Sequence, residues 1–305
     1  MLQDIEKLLK PRPRKYRNIV KHLTPFIEIK NTTDPELTES ELFADLTQSR
    51  GSSRFLGIYS QRGIEFSLEK FGFFEELQKL GLPNGTVNID LSNAYKHRLQ
   101  IEHAISGNSY LSGEIIMRRG SFSISNIIPD RAKPMEFLII EWFMLQNPVK
   151  PFSKRRPQLP GQDHPGLGIS TLVYEILYWI GRRIKADGVI LVPNYLHTGI
   201  FYSRQFLFLD PKKQGLIFAC NKLFQKKYKL DQLTWASAEG QLIDLNQGKP
   251  HIWNPTPMSI PISPRLKDYF HSGQYNEITK NIKESTRLQI THGYKKHYNP
   301  DWKAI

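Results

Sequence analysis

The segment GQDHPGLGIS, at residues 161–170, contains three glycines and a proline and directly precedes a long amphipathic segment. Glycines allow the backbone to approach a ligand closely, and the free amide groups and dipole at the start of a helix attract anions. The segment therefore predicts a loop that holds a phosphate group on the backbone of Gly166, Leu167, Gly168 and Ile169. The alternative is a tight turn, in which the glycines serve only the backbone conformation.

Two familiar phosphate-binding motifs do not match this loop. Gly161 and Gly166 have the spacing of the motif G-x-x-x-x-G-K-[ST], but Leu167 and Gly168 stand where lysine and a hydroxyl residue are required. A dinucleotide loop requires G-x-G-x-x-G in a parallel unit, whereas this loop has only Gly166-x-Gly168 and follows predicted antiparallel strands. Two interpretations stay open from these residues: a loop that holds the pyrophosphate of an acyl-CoA, and a tight turn without a ligand, which the residues taken alone favour.

Glu141 is a candidate catalytic residue because it is an ionisable group within the apolar run MEFLIIEWFML at 135–145. Simple alternation along a strand places Glu141 on one face with Phe143 and Leu145. The carboxylate then either lies on the solvated face of a half-covered strand or lines a cleft, where burial would raise its pKa and suit it to general base catalysis.

The sequence lacks the residue patterns that metal sites, disulfide frameworks and serine hydrolases require. His164 and His197 do not form a metal-binding pattern such as H-E-x-x-H, and no G-x-S-x-G serine motif occurs. The single cysteine, Cys220, excludes an intramolecular disulfide framework and a multi-cysteine zinc site. The sequence thus predicts neither a metal enzyme nor a serine hydrolase.

Composition narrows the class of protein and its partners. With 39% hydrophobic residues and no low-complexity tract, the chain is expected to fold. The most apolar run is too short for a membrane span and the N-terminus lacks a secretory signal, so a cytoplasmic location is expected. The net charge of +13 favours polyanionic partners: nucleic acid, anionic lipid or a phosphorylated cofactor. No recognisable nucleic-acid-reading module accompanies this charge.

The elements around the glycine loop follow from periodicity. A helix is predicted at 60–80 and ends at GLPNG; the runs TVNIDLS, HRLQIEH, YLSGEIIMRR, FSISNII and MEFLIIEWFML predict an antiparallel meander. After the loop, STLVYEILYWIGRRIKADG predicts a long helix, VILVP a strand and HTGIFYSRQF a short helix. LFLD and GLIFAC predict a closing hairpin, with Cys220 as a buried strand thiol. The chain begins with a short helix at 3–9 and, after 225, continues into a proline-rich connector and a polar helical tail.

Residues from about 105 to 220 resemble the GNAT superfamily of acyltransferases, whose motif [QR]-x-x-G-x-[GA] lies between the fourth strand and a long helix. DHPGLG lies where that motif is expected, VILVPN is similar to the fifth strand, and HTGIFYSRQFLFLDP is similar to the helix and strand that follow. The resemblance implies an α/β fold, a mixed, twisted sheet flanked by helices at 51–225, with an N-terminal extension (1–50) and a C-terminal connector and basic tail (226–305). Asp163 departs from the motif, and Lys154, Arg155 or Arg156 would have to supply the missing positive charge.

The resemblance also implies a function and its residues. Acetyl-CoA or another acyl-CoA would donate an acyl group to an amine of a small molecule or a protein. Tyr202 is similar in position to the tyrosine that acts as general acid, while His164, the loop at 166–169 and Asn194 would contact the cofactor. Two alternatives stay open: a GNAT-like protein that binds a ligand or partner without turnover, and a nucleic-acid-associated basic protein.

Overall fold

The computed structural model describes residues 2–9, 13, 15–21, 23, 54–122 and 134–295. Its helices are α1 (Leu2–Leu9), α2 (Gln61–Lys70), α3 (Phe73–Lys79), α4 (Ser170–Arg183), α5 (Leu196–Tyr202), α6 (Pro211–Lys226), α7 (Leu230–Ala238), α8 (Pro264–His271) and α9 (Gly273–Ser285). Its strands are β1 (Gly85–Asp90), β2 (His97–Ile105), β3 (Asn108–Phe122), β4 (Met135–Leu145), β5 (Gly188–Leu191), β6 (Leu207–Phe208), β7 (Leu242–Asp244), β8 (Lys249–Pro250), β9 (Met258–Pro261) and β10 (Leu288–Ile290).

The main sheet has seven strands in the order β1-β2-β3-β4-β5-β9-β6, and β10-β7-β8 form a separate small sheet. Strands β1 to β4 are an antiparallel meander, as the alternating sequence predicted. The fold is therefore mixed α/β, with a large, mostly antiparallel sheet flanked by helices, which confirms the coarse fold prediction. The predicted strand FSISNII lies beyond Phe122, outside the described residues.

The meander presents two different faces. Ile101, Ile115 and Met117 are buried on the face covered by α2 and α4. On the opposite face, Arg98 and Glu114 form a partly buried ion pair, with Nη1 and Oε1 3.7 Å apart. In an antiparallel sheet with one solvated face, apolar and polar residues alternate along each strand. This alternation is the pattern from which the strands were predicted.

Beyond the meander the sheet is buried on both faces. Strand β5 runs parallel to β4, with α4 as the crossover, and β9 then pairs antiparallel with both β5 and β6. All four residues of β5 and of β9 are buried. The segment NPTPMSIPISP, for which a proline-rich connector was expected, thus contributes an internal strand to the main sheet. The predicted helices of the C-terminal tail are present as α8 and α9.

The predicted helix at 60–80 consists of two helices. Ser60 starts α2 by accepting a hydrogen bond from the Gly63 N–H (3.1 Å), and the helix ends at Lys70. Gly72 then adopts a left-handed backbone (φ +77°), which interrupts the helical hydrogen bonds before α3 begins. Glycine adopts this conformation without steric cost, so the chain can leave the helix here. The apolar periodicity of the sequence continues across Gly72 and therefore does not reveal the break.

The predicted strand GLIFAC is wrong, because these residues lie inside helix α6. Asp210 begins the helix: its side chain accepts a hydrogen bond from the Lys212 N–H (2.8 Å), and Pro211 takes the first helical position. A short apolar run has no period of its own, so it suits a buried strand and a buried helix equally. The predicted closing hairpin is therefore absent, and β6 pairs with β9. Cys220 is fully buried, but in a helix.

No helix among the described residues combines the length and the apolar character that crossing a membrane requires.

Candidate functional site

Strand β4 is paired with β5 over only part of its length. The two strands pair from Phe137–Ile140 with Gly188–Leu191, after which β5 ends while β4 continues to Leu145. The last residues of β4 are paired with β3 on the other side. We call the edge of β4 that β5 leaves uncovered beyond Ile140 the cleft; the connections before α4 and before α5 start at this end of the two strands.

A β-bulge in β4 lies directly after Ile140, the last residue of β4 that pairs with β5. Met117 pairs with Ile140 and Ile116 with Trp142, so Glu141 is the extra residue. A bulge bends its strand and places two consecutive side chains on one face. It thereby returns Phe143 to the covered face of the sheet and directs Glu141 to the opposite one.

The connection from β4 to α4 is held against the end of β4. Gln146 forms a bridge with Gly166, and the Asn147 N–H donates to the Pro165 carbonyl oxygen (2.7 Å). Earlier in the connection, Gly161 lies under the ring of Tyr195, where an added Cβ would come within 2.5 Å of the ring. The glycine loop is thus fixed on one side to β4 and on the other to the segment that starts α5.

Buried and exposed residues alternate at the end of this loop. Leu167 and Ile169 are buried in the core, whereas Gly168 between them is exposed, with a left-handed backbone (φ +79°). The two apolar side chains anchor the loop and leave the Gly168 backbone facing solvent. Helix α4 begins at the next residue, and no side chain caps its N-terminus. Unsatisfied amide groups and the helix dipole make such an end attractive to an anion.

Arg156 is the basic residue that lies against this loop. Its Nη1 donates to the Gly166 carbonyl oxygen (3.0 Å), and its Nη2 lies 3.2 Å from the position that a Cβ on Gly168 would occupy. No such contact to the loop is found for Lys154 or Arg155 within the described part of the chain. Of the three basic residues that precede the loop, Arg156 is therefore the one that contacts it.

These features could hold an anionic group such as a pyrophosphate. An exposed glycine backbone, an uncapped helix start and an adjacent guanidinium group are each attractive to an anion, and a glycine permits its close approach to the backbone. Leu167 and Ile169 would contribute backbone groups alone, because their side chains belong to the core.

Tyr202 is the last residue of α5 and lies between the two elements that border the cleft. Its ring centroid is 6.2 Å from that of Phe143 on β4 and 5.9 Å from that of Tyr174 on α4. Tyr174 is one turn into α4, so Tyr202 packs beside the start of the helix that follows the glycine loop. Burial raises the pKa of Tyr202 to about 12, which keeps the phenol protonated at neutral pH.

Glu141 has the opposite environment to the one a general base requires. Its carboxylate accepts a hydrogen bond from Arg118 Nε and a longer one from Lys96 Nζ (3.4 Å). The hydrogen bond from Arg118, with help from Lys96, lowers the pKa of Glu141, and the residue is exposed. The expected raised pKa is thus not found. The bulge is the physical reason, since it removes Glu141 from the face that carries Phe143.

The two remaining predicted cofactor contacts, His164 and Asn194, and the histidine His197 lie in the connections before α4 and α5 or at the start of α5. His164 is half-buried in the loop, and Asn194 is exposed between β5 and α5. His197 is buried near the start of α5, stacks on Tyr195 at 5.4 Å, and has no hydrogen-bond partner for Nδ1 among the described residues. Burial lowers the pKa of His197 to about 3, so the ring is neutral at physiological pH.

The structure therefore places Arg156 against the loop at 166–169, packs Tyr202 against Tyr174 in the helix that follows the loop, and separates Glu141 from both groups. Phe143 and Tyr174, the ring partners of Tyr202, were not identified from the sequence. Phe143 did appear in the alternation argument, but only the bulge reveals which face it shares.

Within the described ranges, no group of three or more histidine, cysteine, aspartate or glutamate side chains is placed to hold a metal ion. Comparison with known proteins adds no relative, since no protein-family model, curated protein or solved structure matches this chain.

Proposed function

We propose that this protein is an acyl-CoA-dependent N-acyltransferase of the GNAT type, which transfers an acyl group, acetyl in the simplest case, to an amine of a small molecule or a protein. The observation that supports this proposal best is the end of the pairing between β4 and β5 at Ile140 and Leu191. The glycine loop bridges to Gln146 just after this part of β4, and Tyr202 packs on Phe143 within it. An elongated thioester substrate needs both an anion site and a proton donor, and the cleft offers both.

The residues divide into a binding part and a chemical part. The backbone from Gly166 to Ile169, together with Arg156, would hold the pyrophosphate of the acyl-CoA. When bound, the acyl-CoA supplies an activated thioester. In acyl transfer the departing sulfur must be protonated or stabilised, and Tyr202 carries a phenolic hydrogen at neutral pH for that purpose. Glu141, which is engaged by Arg118 and Lys96, has no part in this scheme.

The first test of the proposal is thermal stabilisation by CoA and acetyl-CoA. A ligand that binds only the native state stabilises it by about 2.7 kcal/mol at one hundred times its dissociation constant. CoA should therefore raise the melting temperature at concentrations where equal amounts of inorganic pyrophosphate or short duplex DNA do not. Equal stabilisation by pyrophosphate or DNA would mean that a basic surface, and not a specific site, binds the polyanion.

The second test measures turnover. Release of free CoA thiol from acetyl-CoA is followed in the presence of a panel of primary amines, and acylated product is confirmed by mass spectrometry. Thiol release that depends on an amine supports the transferase. Tight CoA binding without turnover on any amine would instead support the alternative, a GNAT-like protein that binds its ligand without transferring the acyl group.

A further inference from the structure

A large apolar cavity lies between the main sheet and the two helices α2 and α4, and Val20 and Leu23 from the N-terminal part of the chain also line it. Its volume is about 330 Å³, which is within the range of ligand pockets and far above the voids that close-packed interiors leave. The floor is formed by side chains of three neighbouring strands: Leu99, Ile101, Ile115, Met117, Phe143 and Leu145. The proposed transferase scheme requires no cavity on this face.

The cavity is elongated along α4. The lining residues of that helix extend from Val173 to Arg183, ten residues apart, and a rise of 1.5 Å per residue makes this about 15 Å. Ile176 and Ile180 lie between them on the same face of the helix. An apolar space that follows a helix over this distance suits a linear chain.

Gly113 leaves part of the space open. It is a buried residue of β3 that lines the cavity between Ile101 and Leu145. A Cβ added there would lie 3.4 Å from Leu145 Cδ2 and 3.5 Å from Ile101 Cγ1, which is close to ordinary van der Waals contact. A larger side chain at this position would therefore occupy the cavity without a backbone clash.

The end of the cavity at the last turn of α4 is cationic. Arg182 and Arg183 both line it there, and the Arg182 guanidinium lies over the Trp179 ring, 5.3 Å from its centroid. Among the residues that the structure describes, no carboxylate forms an ion pair with Arg183. Glu114 borders the cavity from β3, but its carboxylate is on the other face of the sheet, where it accepts a hydrogen bond from Gln100 Nε2 (2.9 Å) and pairs with Arg98.

A neutral hydrogen-bond donor also lines the cavity. Burial raises the pKa of Tyr59 to about 12, although the Arg183 charge acts on the phenol in the opposite direction. The phenol therefore keeps its hydrogen at neutral pH. A guanidinium and a phenol at one end of an apolar channel match a carboxylate head group on an aliphatic tail.

We propose that this cavity binds a linear fatty acid, with its aliphatic chain along α4 and its carboxylate at Arg183 and Tyr59. The site is separate from the glycine loop, although Phe143 belongs both to the cavity floor and to the ring cluster around Tyr202. A bound fatty acid would therefore contact the aromatic wall of the cleft from the covered face of the sheet. The proposal does not depend on acyl transfer and is tested without it.

Calorimetric titration with decanoate tests the site, with decanol as the uncharged chain and acetate as the charge without a chain. We expect decanoate to bind more tightly than decanol, and acetate not to bind. Gly113→Leu should weaken both long-chain ligands by about tenfold or more. Arg183→Gln should weaken decanoate alone, whereas Arg155→Gln, a control on an exposed loop, should change neither. Undiminished decanoate affinity in a cooperatively melting Gly113→Leu protein would overturn the proposal, as would no decanoate binding to the unsubstituted protein.

Labelling by a photoreactive fatty acid provides a measurement that does not require Gly113→Leu to fold. Crosslinks to the unsubstituted protein should map to β3, β4 and α4, and excess decanoate should suppress them. Crosslinks that fall elsewhere, or that decanoate does not suppress, would contradict the assignment. CoA should leave the labelling in place, so this site and the proposed acyltransferase site can fail independently.

Discussion

Replacing Gly168 by alanine tests whether the glycine loop holds a ligand or only makes a turn. Gly168 has a left-handed backbone (φ +79°), and a Cβ there would lie 3.2 Å from Arg156 Nη2. Gly107, in the turn between β2 and β3, has nearly the same backbone (φ +80°), but a Cβ there would meet nothing within 4 Å. Gly107→Ala is therefore a matched control, since it carries the same conformational penalty away from the cleft.

The expected loss of stability is the same for the two variants. An L-residue in the left-handed region costs roughly 1–2 kcal/mol. In a domain of 150–250 residues each kcal/mol lowers the melting temperature by about 2–4 °C, so each variant should melt roughly 2–8 °C lower. The predicted difference is in CoA affinity alone. The methyl group on Gly168 would displace Arg156 and block the close approach of the backbone, and we expect about a tenfold weakening, equivalent to about 1.4 kcal/mol.

The assay is calorimetric titration of CoA into the unsubstituted protein, Gly168→Ala and Gly107→Ala, at a temperature where all three are fully folded. Gly107→Ala should bind CoA like the unsubstituted protein, and Gly168→Ala should bind it more weakly. Equal CoA affinities for the three proteins would refute the role of the loop backbone, and with it the cofactor site. Equal weakening in both variants would instead trace the effect to lost stability.

Three further predictions concern the cleft and its surroundings. Tyr202→Phe should keep CoA affinity and reduce kcat, because a proton donor acts mainly in the transition state; an unchanged kcat would remove Tyr202 from the scheme. Arg156→Ala should weaken CoA binding in calorimetry while Arg155→Ala does not, and equal effects would indicate charge attraction by the loop as a whole. The pKa of His197 is lowered by burial from 6.5 to about 3, so its contribution to stability is complete above pH 6.5 and is lost as the pH falls towards 3. His197→Gln should therefore reduce the slope of urea-unfolding stability against pH in this window, at most by about 1.4 kcal/mol per pH unit, and an unchanged slope would show that His197 is not the titrating group.

The pattern of polar and apolar residues along the chain was enough to predict the strands β1 to β4 and the helix α4. The alternation of β1 to β4 arises because one face of the meander is solvated, so polar and apolar side chains had to alternate along each strand. The helix after the glycine loop was predicted for the same kind of reason, since α4 buries one side against the sheet. Its predicted start at Ser170 agrees with the structure, while its end at Arg183 comes earlier than the amphipathic segment suggested.

Other elements depend on partners that are distant in sequence. GLIFAC is apolar because the central part of α6 is buried. A buried stretch of helix has no polar face, so its sequence does not show the helical period. Strand β9 is equally hidden among prolines, and it becomes a strand because β5 and β6 on either side of it supply its hydrogen bonds. No local signal at 258–261 identifies those partners.

The sequence by itself determined the position of the glycine loop, the meander before it and the helix after it, because each depends on residues a few positions apart. The tertiary structure alone decided what surrounds the loop. The bulge at Glu141 exists only in the pairing of β4 with β3, and it exchanges the faces that simple alternation had assigned. The ring cluster of Phe143, Tyr174 and Tyr202 joins a strand and two helices, and the apolar cavity joins three strands to the helices above them. Such sites are defined by distances between elements, and spacing along the chain does not encode those distances.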